Sequence, residues 1–232
     1  MTVSFNLEHF YKKTILVVGG GTSTLDRRWE DSKWDFLWTC NDFFLEERVL
    51  NQKVDLVCIG NNTDLTNKDF IKKVRKDKPF IFYEPFHYRG KELTRQFKIF
   101  QEEIGYVVRA MDLPFHQKQY TEGQKAGAAF RLIQLALDSN ASHINFVGFD
   151  GFSKDFSNKH AFTKHVGLKP TDLRRDWKTG YYNVFTDAFK YFLTRPNYDR
   201  LQNFGEGLEY NLGSEISKKF FPLKEEIYDK IR

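Results

Sequence analysis

From residue 14 onward, short apolar runs and amphipathic stretches take turns along the chain, and this alternation restricts the fold sharply. The runs at 14–18 (TILVV), 36–39, 54–59 (VDLVCI), 79–83, 106–109 and 143–147 (HINFV) read as strands. Between them, 43–50, 68–75, 92–103 and 124–138 carry helical patterns, the last with Ala128, Leu132, Leu135 and Ala136 on one face. Strands separated by helices pair in parallel, because a parallel connection needs a crossover. The expected fold is α/β: a Rossmann-like, doubly wound, mostly parallel sheet.

Past Gly148 the alternation stops. Residues 151–181 are polar and aromatic without a sustained period, and we read them as a lid-like loop region near the C-terminus. Helix resumes over 182–193, a short strand is expected at 208–211 and a helix at 223–231. No repeat or linker divides the chain, so residues 1–232 are expected to form a single nucleotide-binding α/β domain.

Composition removes several classes of protein. With 41% hydrophobic and 29% charged residues, the chain is neither a disordered tail nor membrane-embedded. No apolar run approaches the roughly 20 residues that span a bilayer, and the start, MTVSFNLEHFYKK, has no signal-peptide stretch. Cys40 and Cys58 fall in strand segments, where buried thiols are common, so a reducing, cytoplasmic setting is expected. A net charge of +5 suits a phosphate-bearing ligand or an acidic membrane surface and does not mark a nucleic-acid binder. The basic run at 72–78 reads as the solvated end of a surface helix. Lys218-Lys219-Phe220-Phe221 offers a peripheral membrane contact.

Four strand ends carry residues suited to chemistry. Gly19-Gly20-Gly21-Thr22-Ser23 follows the first strand, where glycines let backbone approach a ligand and a helix start attracts phosphate. Its spacing is neither GxGxxG nor a P-loop, and a bare glycine turn is the competing reading. Ser23 or Thr24 is placed to cap a short helix running toward Asp31. Asn41 follows the second strand and can address a base or ribose, while Asp42 fits an N-cap for the next helix. Asn61 follows the third strand, with an Asx-turn as its alternative. Asp150, after the sixth, suits a ribose hydroxyl, a metal or a turn.

Read together, LVVGGGTSTL, WTCNDFF, VDLVCIGNN, TEGQKAGAAFRLIQLAL and INFVGFDGF resemble, in order and spacing, the bacterial lipooligosaccharide sialyltransferases, glycosyltransferase family forty-two. They also resemble a related glycine-loop clan that includes pterin pyrophosphokinase-like proteins. The resemblance spans about residues 14–152 and, more thinly, to 193. It implies a CMP-linked sugar donor, a glycan acceptor, a role in lipopolysaccharide biosynthesis, transfer with no required cofactor, and a homo-oligomeric assembly. By the same resemblance Gly19, Gly21 and Ser23 would hold the nucleotide phosphates, and Asn41 and Asn61 would contact the donor. Gly123 would open the long helix, and Phe152 would lie near the phosphate.

This chain departs from the family at several positions. Gly20 and Thr22 replace an Asn and a Pro of the loop, and Glu122 stands where a Ser meets the sialic acid carboxylate. An anion facing an anion in a desolvated pocket costs energy, which argues for a different donor sugar. The family's His base aligns with Gly180 or Tyr181, and no His follows His165. The candidate catalytic residues are therefore Tyr181 and the lid histidines His160 and His165, either of which could accept a hydroxyl proton near pH 7. Two alternatives stand beside this: an ATP- and magnesium-dependent phosphotransferase, with Asp42 and Asp150 as ion ligands, and a nucleotide-binding protein without catalysis.

Overall fold

The computed structural model describes residues 5–25, 27–60, 63–83, 90–105, 108–109, 127–149, 182–205 and 219. Its centre is a seven-stranded sheet: β1 (Thr14–Val18), β2 (Phe36–Cys40), β3 (Leu56–Ile59), β4 (Phe80–Tyr83), β5 (Val108–Arg109), β6 (His143–Val147) and β7 (Leu201–Asn203). The spatial order is β5-β4-β3-β2-β1-β6-β7, and every pairing is parallel. The chain therefore walks outward from β1 to β5, returns, and continues on the other side of β1. This is the expected Rossmann-like α/β architecture, with the order reversing between β1 and β6.

The strands read as continuous apolar runs because both faces are covered. Ile15 and Val17 of β1 point into one core with Trp38, Leu56, Ile144 and Phe146; Leu16 and Val18 point into the other with Leu37, Val57 and Ile81. The first face is covered by α4 (Ala128–Asp138) and α5 (Tyr182–Leu193). The second is covered by α1 (Glu47–Leu50), α2 (Lys68–Asp77) and α3 (Gly90–Ile104). Phe70 of α2 stacks on Phe100 of α3, and Phe97 of α3 stacks on Tyr83.

Carboxylates register the strands at the opposite edge from their carboxyl ends. Asp35 accepts from the Thr14 N–H at 2.8 Å, Asp55 from the Leu37 N–H at 3.0 Å and Asp77 from the Val54 N–H at 2.8 Å. Each gives a backbone N–H near the entry to a strand a side-chain acceptor.

The structure corrects several expectations. The helix expected over 43–50 is a 3-10 turn, Phe43–Leu45, broken at Glu46 before α1. Asp42 makes no side-chain cap there; Glu46 caps instead, accepting from the Arg48 N–H. The helix expected after the glycine loop is a pair of 3-10 turns, Thr22–Leu25 and Arg27–Asp31. The basic run at 72–78 is not wholly solvated: Lys73 is 5% exposed, pairs with Asp77 at 2.6 Å and donates to the Leu50 and Gln52 carbonyls. β7 has no counterpart in the sequence pattern, because its three residues, Leu201–Asn203, include Gln and Asn and carry no readable period. The strand expected at 208–211 and the helix at 223–231 lie outside the described residues, as does the lid region. Among the described residues no helix is long and apolar enough to cross a membrane.

Candidate functional site

In an open parallel sheet, ligands lie outside the carboxyl ends of the strands where the strand order reverses. Here that point is the carboxyl edge of the paired strands β1 and β6, with the loops that follow them. The two loops are knitted together. The Gly19 N–H donates to the Val147 carbonyl at 2.8 Å, the Gly21 N–H donates to the Gly148 carbonyl at 2.9 Å, and the Gly148 N–H donates to Ser23 Oγ at 2.9 Å. A Cβ on Gly19 would stand 2.6 Å from the Gly148 carbonyl oxygen. One on Gly148, whose φ is +77°, would meet the Gly19 oxygen at 2.6 Å and Thr24 at 2.7 Å. Gly19 and Gly148 are thus glycine so that two chain segments can touch. Ser23 is a strap between them rather than a helix cap. Gly20 differs: its N–H makes no hydrogen bond among the described residues.

Thr24 anchors the far end of the loop. It is fully buried, its hydroxyl donates to the Gly21 carbonyl at 2.7 Å, and its own carbonyl accepts from Trp29 Nε1 at 2.9 Å and from Arg48 Nη1 at 3.1 Å. Thr22 lies in the 3-10 turn between.

A second group forms at the ends of β2 and β3. Asn41 adopts a left-handed conformation, φ +50°, and its N–H donates to the Cys58 carbonyl at 3.0 Å. Its side-chain oxygen accepts from the Gly60 N–H at 2.9 Å, leaving the Nδ2 donors without a partner among the described residues. Thr39 donates to the Val18 carbonyl at 2.9 Å, tying this edge to β1. Asp42 follows, half-buried; desolvation and the nearby Asp64 hold its carboxyl above the usual aspartate range, while the Thr63 hydroxyl works the other way.

The third contributor is α4. Running antiparallel to the strands, it brings its N-terminus to the carboxyl edge. Gly127 occupies the N-cap without a side chain to satisfy the first-turn donors. Phe130 in that turn packs on Phe149, directly after Gly148, with ring centroids 5.8 Å apart. The resemblance had put Gly123 at the opening of this helix, and Gly123 lies outside the described residues. The residue found at the N-cap is Gly127, so the helix begins at Ala128, inside the 124–138 span expected from sequence.

The structure therefore gathers Gly19, Gly20, Gly21, Thr22 and Ser23 at the switch point and sets Asn41 at the neighbouring strand end. Asn61, Asp150, Phe152, His160, His165 and Tyr181 lie outside the described residues. The described histidines sit elsewhere: His143 begins β6, and His9 packs on Phe36 at the start of β2. Among the described residues no group of three or more His, Cys, Asp or Glu is arranged so that it could hold a metal ion. Sequence reasoning missed Thr24 and Arg48 as supports of the loop. Backbone N–H groups and an uncapped helix start favour an anion at this edge, and the Asn41 amide adds neutral donors beside it. No protein-family model and no curated protein matches the chain.

Proposed function

We propose that this chain is a glycosyltransferase that takes a CMP-linked sugar at the β1/β6 switch point and transfers it to a glycan acceptor. One observation carries the reading. The Gly19–Ser23 loop, the uncapped start of α4 and the end of β6 converge where the strand order reverses. That is where a parallel sheet binds a nucleotide. The Gly20 N–H and the α4 N-terminus suit the phosphate, and Asn41 Nδ2 suits the base or ribose. In the transfer, the acceptor hydroxyl attacks the anomeric carbon, the bond from that carbon to the phosphate oxygen breaks, and CMP leaves with its electron pair. A base from the 151–181 segment, His160 or His165, takes the hydroxyl proton, with Tyr181 as the remaining candidate.

A phosphotransferase using ATP and magnesium is the second reading, favoured by the half-buried Asp42 and its neighbour Asp64 at the same edge. A thermal-shift panel of CMP, CDP, UDP, GDP and ATP, each with and without magnesium, separates the two. A ligand at about one hundred times its Kd raises Tm by roughly 5–10 °C for a chain of this size. CMP stabilisation without metal is the expected result. A shift produced only by ATP with magnesium would replace transfer of a sugar by transfer of phosphate. A flat panel would leave a protein that binds none of these nucleotides and would overturn both readings.

A further inference from the structure

The carboxyl-edge loop is held from beneath by a charged residue that belongs to another element. Arg48 lies in the short helix α1 between β2 and β3, and its side chain is 22% exposed. Its guanidinium Nη1 donates to the Thr24 carbonyl at 3.1 Å and pairs with Glu46 at 3.2 Å, while Nε lies 3.9 Å from Glu30. Glu46 is itself 6% exposed and accepts from the Arg48 N–H, so the pair is fixed at both ends. Thr24 is the residue that orders the loop: its hydroxyl bonds Gly21, its methyl abuts Gly148, and Ser23 beside it accepts from the Gly148 N–H.

We infer that Arg48 is a positioning residue for the glycine-rich loop, clamping the Thr24 carbonyl so that the Gly20 N–H, the loop donor not spent on the β6 end, faces a bound phosphate in one geometry. The planar guanidinium can hold a carboxylate and a carbonyl at once, which an ammonium on a flexible stem does less well. Glu46 shares Nη1 with the Thr24 carbonyl, and Glu30 lies against Nε. The ligand part of this role rests on the proposed nucleotide site; the clamp itself does not.

The variant that tests it is Arg48→Met combined with Glu46→Gln. The double change leaves no buried carboxylate without its partner, a defect that could unfold a single Arg48→Met variant. The amide introduced by Glu46→Gln keeps an oxygen for the backbone N–H of residue 48. Amide hydrogen exchange followed residue by residue is the first readout. Gly19, Gly21, Thr24 and Gly148 all have bonded N–H groups in the loop junction. Their exchange is expected to speed up about tenfold, the equivalent of one lost charged hydrogen bond, while β3 and β4 amides stay unchanged. Unchanged exchange at those positions, or equal acceleration throughout the sheet, would overturn the positioning role. CMP affinity, measured calorimetrically, is the second readout and should fall by about tenfold with Tm nearly unaltered. A wild-type chain that binds CMP and a double variant that binds it equally well would also overturn it. If the wild-type chain binds no nucleotide, the proposed function falls, and the exchange data still decide what Arg48 does.

Discussion

Asp42 shows how one residue at this edge opposes the stability of the whole. Burial and Asp64 hold its carboxyl above the usual aspartate range, so the folded state binds its proton more tightly than the unfolded state does. Stability from this group is present below the unfolded pKa and is lost as pH rises through the folded value. Asp42→Asn is therefore expected to raise Tm at pH 7, with the gain shrinking as the medium is acidified toward about pH 4. Melts of both proteins across that range check it, and an Asn variant less stable at pH 7 would show that the charge makes a favourable contact instead. A carboxylate kept where it destabilises is typical of a functional edge. Its neighbourhood was legible in part. The order of residues placed Asn41 and Asp42 after β2, but the N-cap role assigned to Asp42 belongs to Glu46, because the chain turns once more before α1 begins. The glycines after β1 were legible as a special turn. Their reason was not: the contact of Gly19 and Gly21 with Gly148, at the far end of another strand, lies beyond any local pattern.

At the scale of elements, α2 is pinned by an ion pair that sequence reasoning took for solvated charge. Lys73 and Asp77 are one helical turn apart, with side chains 4% and 3% exposed, and Asp77 also accepts from the Val54 N–H. Removing one partner leaves a buried charge, so Lys73→Met is expected to cost about 3–5 kcal/mol in urea unfolding. Adding Asp77→Asn should recover much of that loss, since the amide oxygen can still take the Val54 N–H and no lone charge remains. A Lys73→Met variant as stable as wild type would show the pair to be solvated after all. The amphipathic period of α2 was readable because Phe70 and Val74 repeat at helical spacing. Whether a lysine on that helix is wet or dry depends on which carbonyls a different loop presents to it, here those of Leu50 and Gln52.

Across the whole molecule, Cys40 and Cys58 stand opposite each other in paired strands, both buried. Desolvation, then Cys58 and Asp42, push the Cys40 thiol far up and away from the reactive thiolate. Neither thiol should react with an aromatic disulfide reagent until the sheet opens, and the modification rate in rising urea should follow unfolding. Rapid labelling of one cysteine in the native protein would mean that the β2/β3 edge opens on its own. The alternation of strands and helices, the parallel pairing and the glycine turn after β1 followed from sequence alone, because burial on both faces imposes local apolar runs and crossovers impose direction. The reversal of order between β1 and β6, the added strand β7, the Gly19–Gly148 contact and the Arg48 clamp on Thr24 came only from the tertiary structure. Each joins segments whose nearness is fixed by how the sheet closes its core, and local sequence carries no measure of that distance.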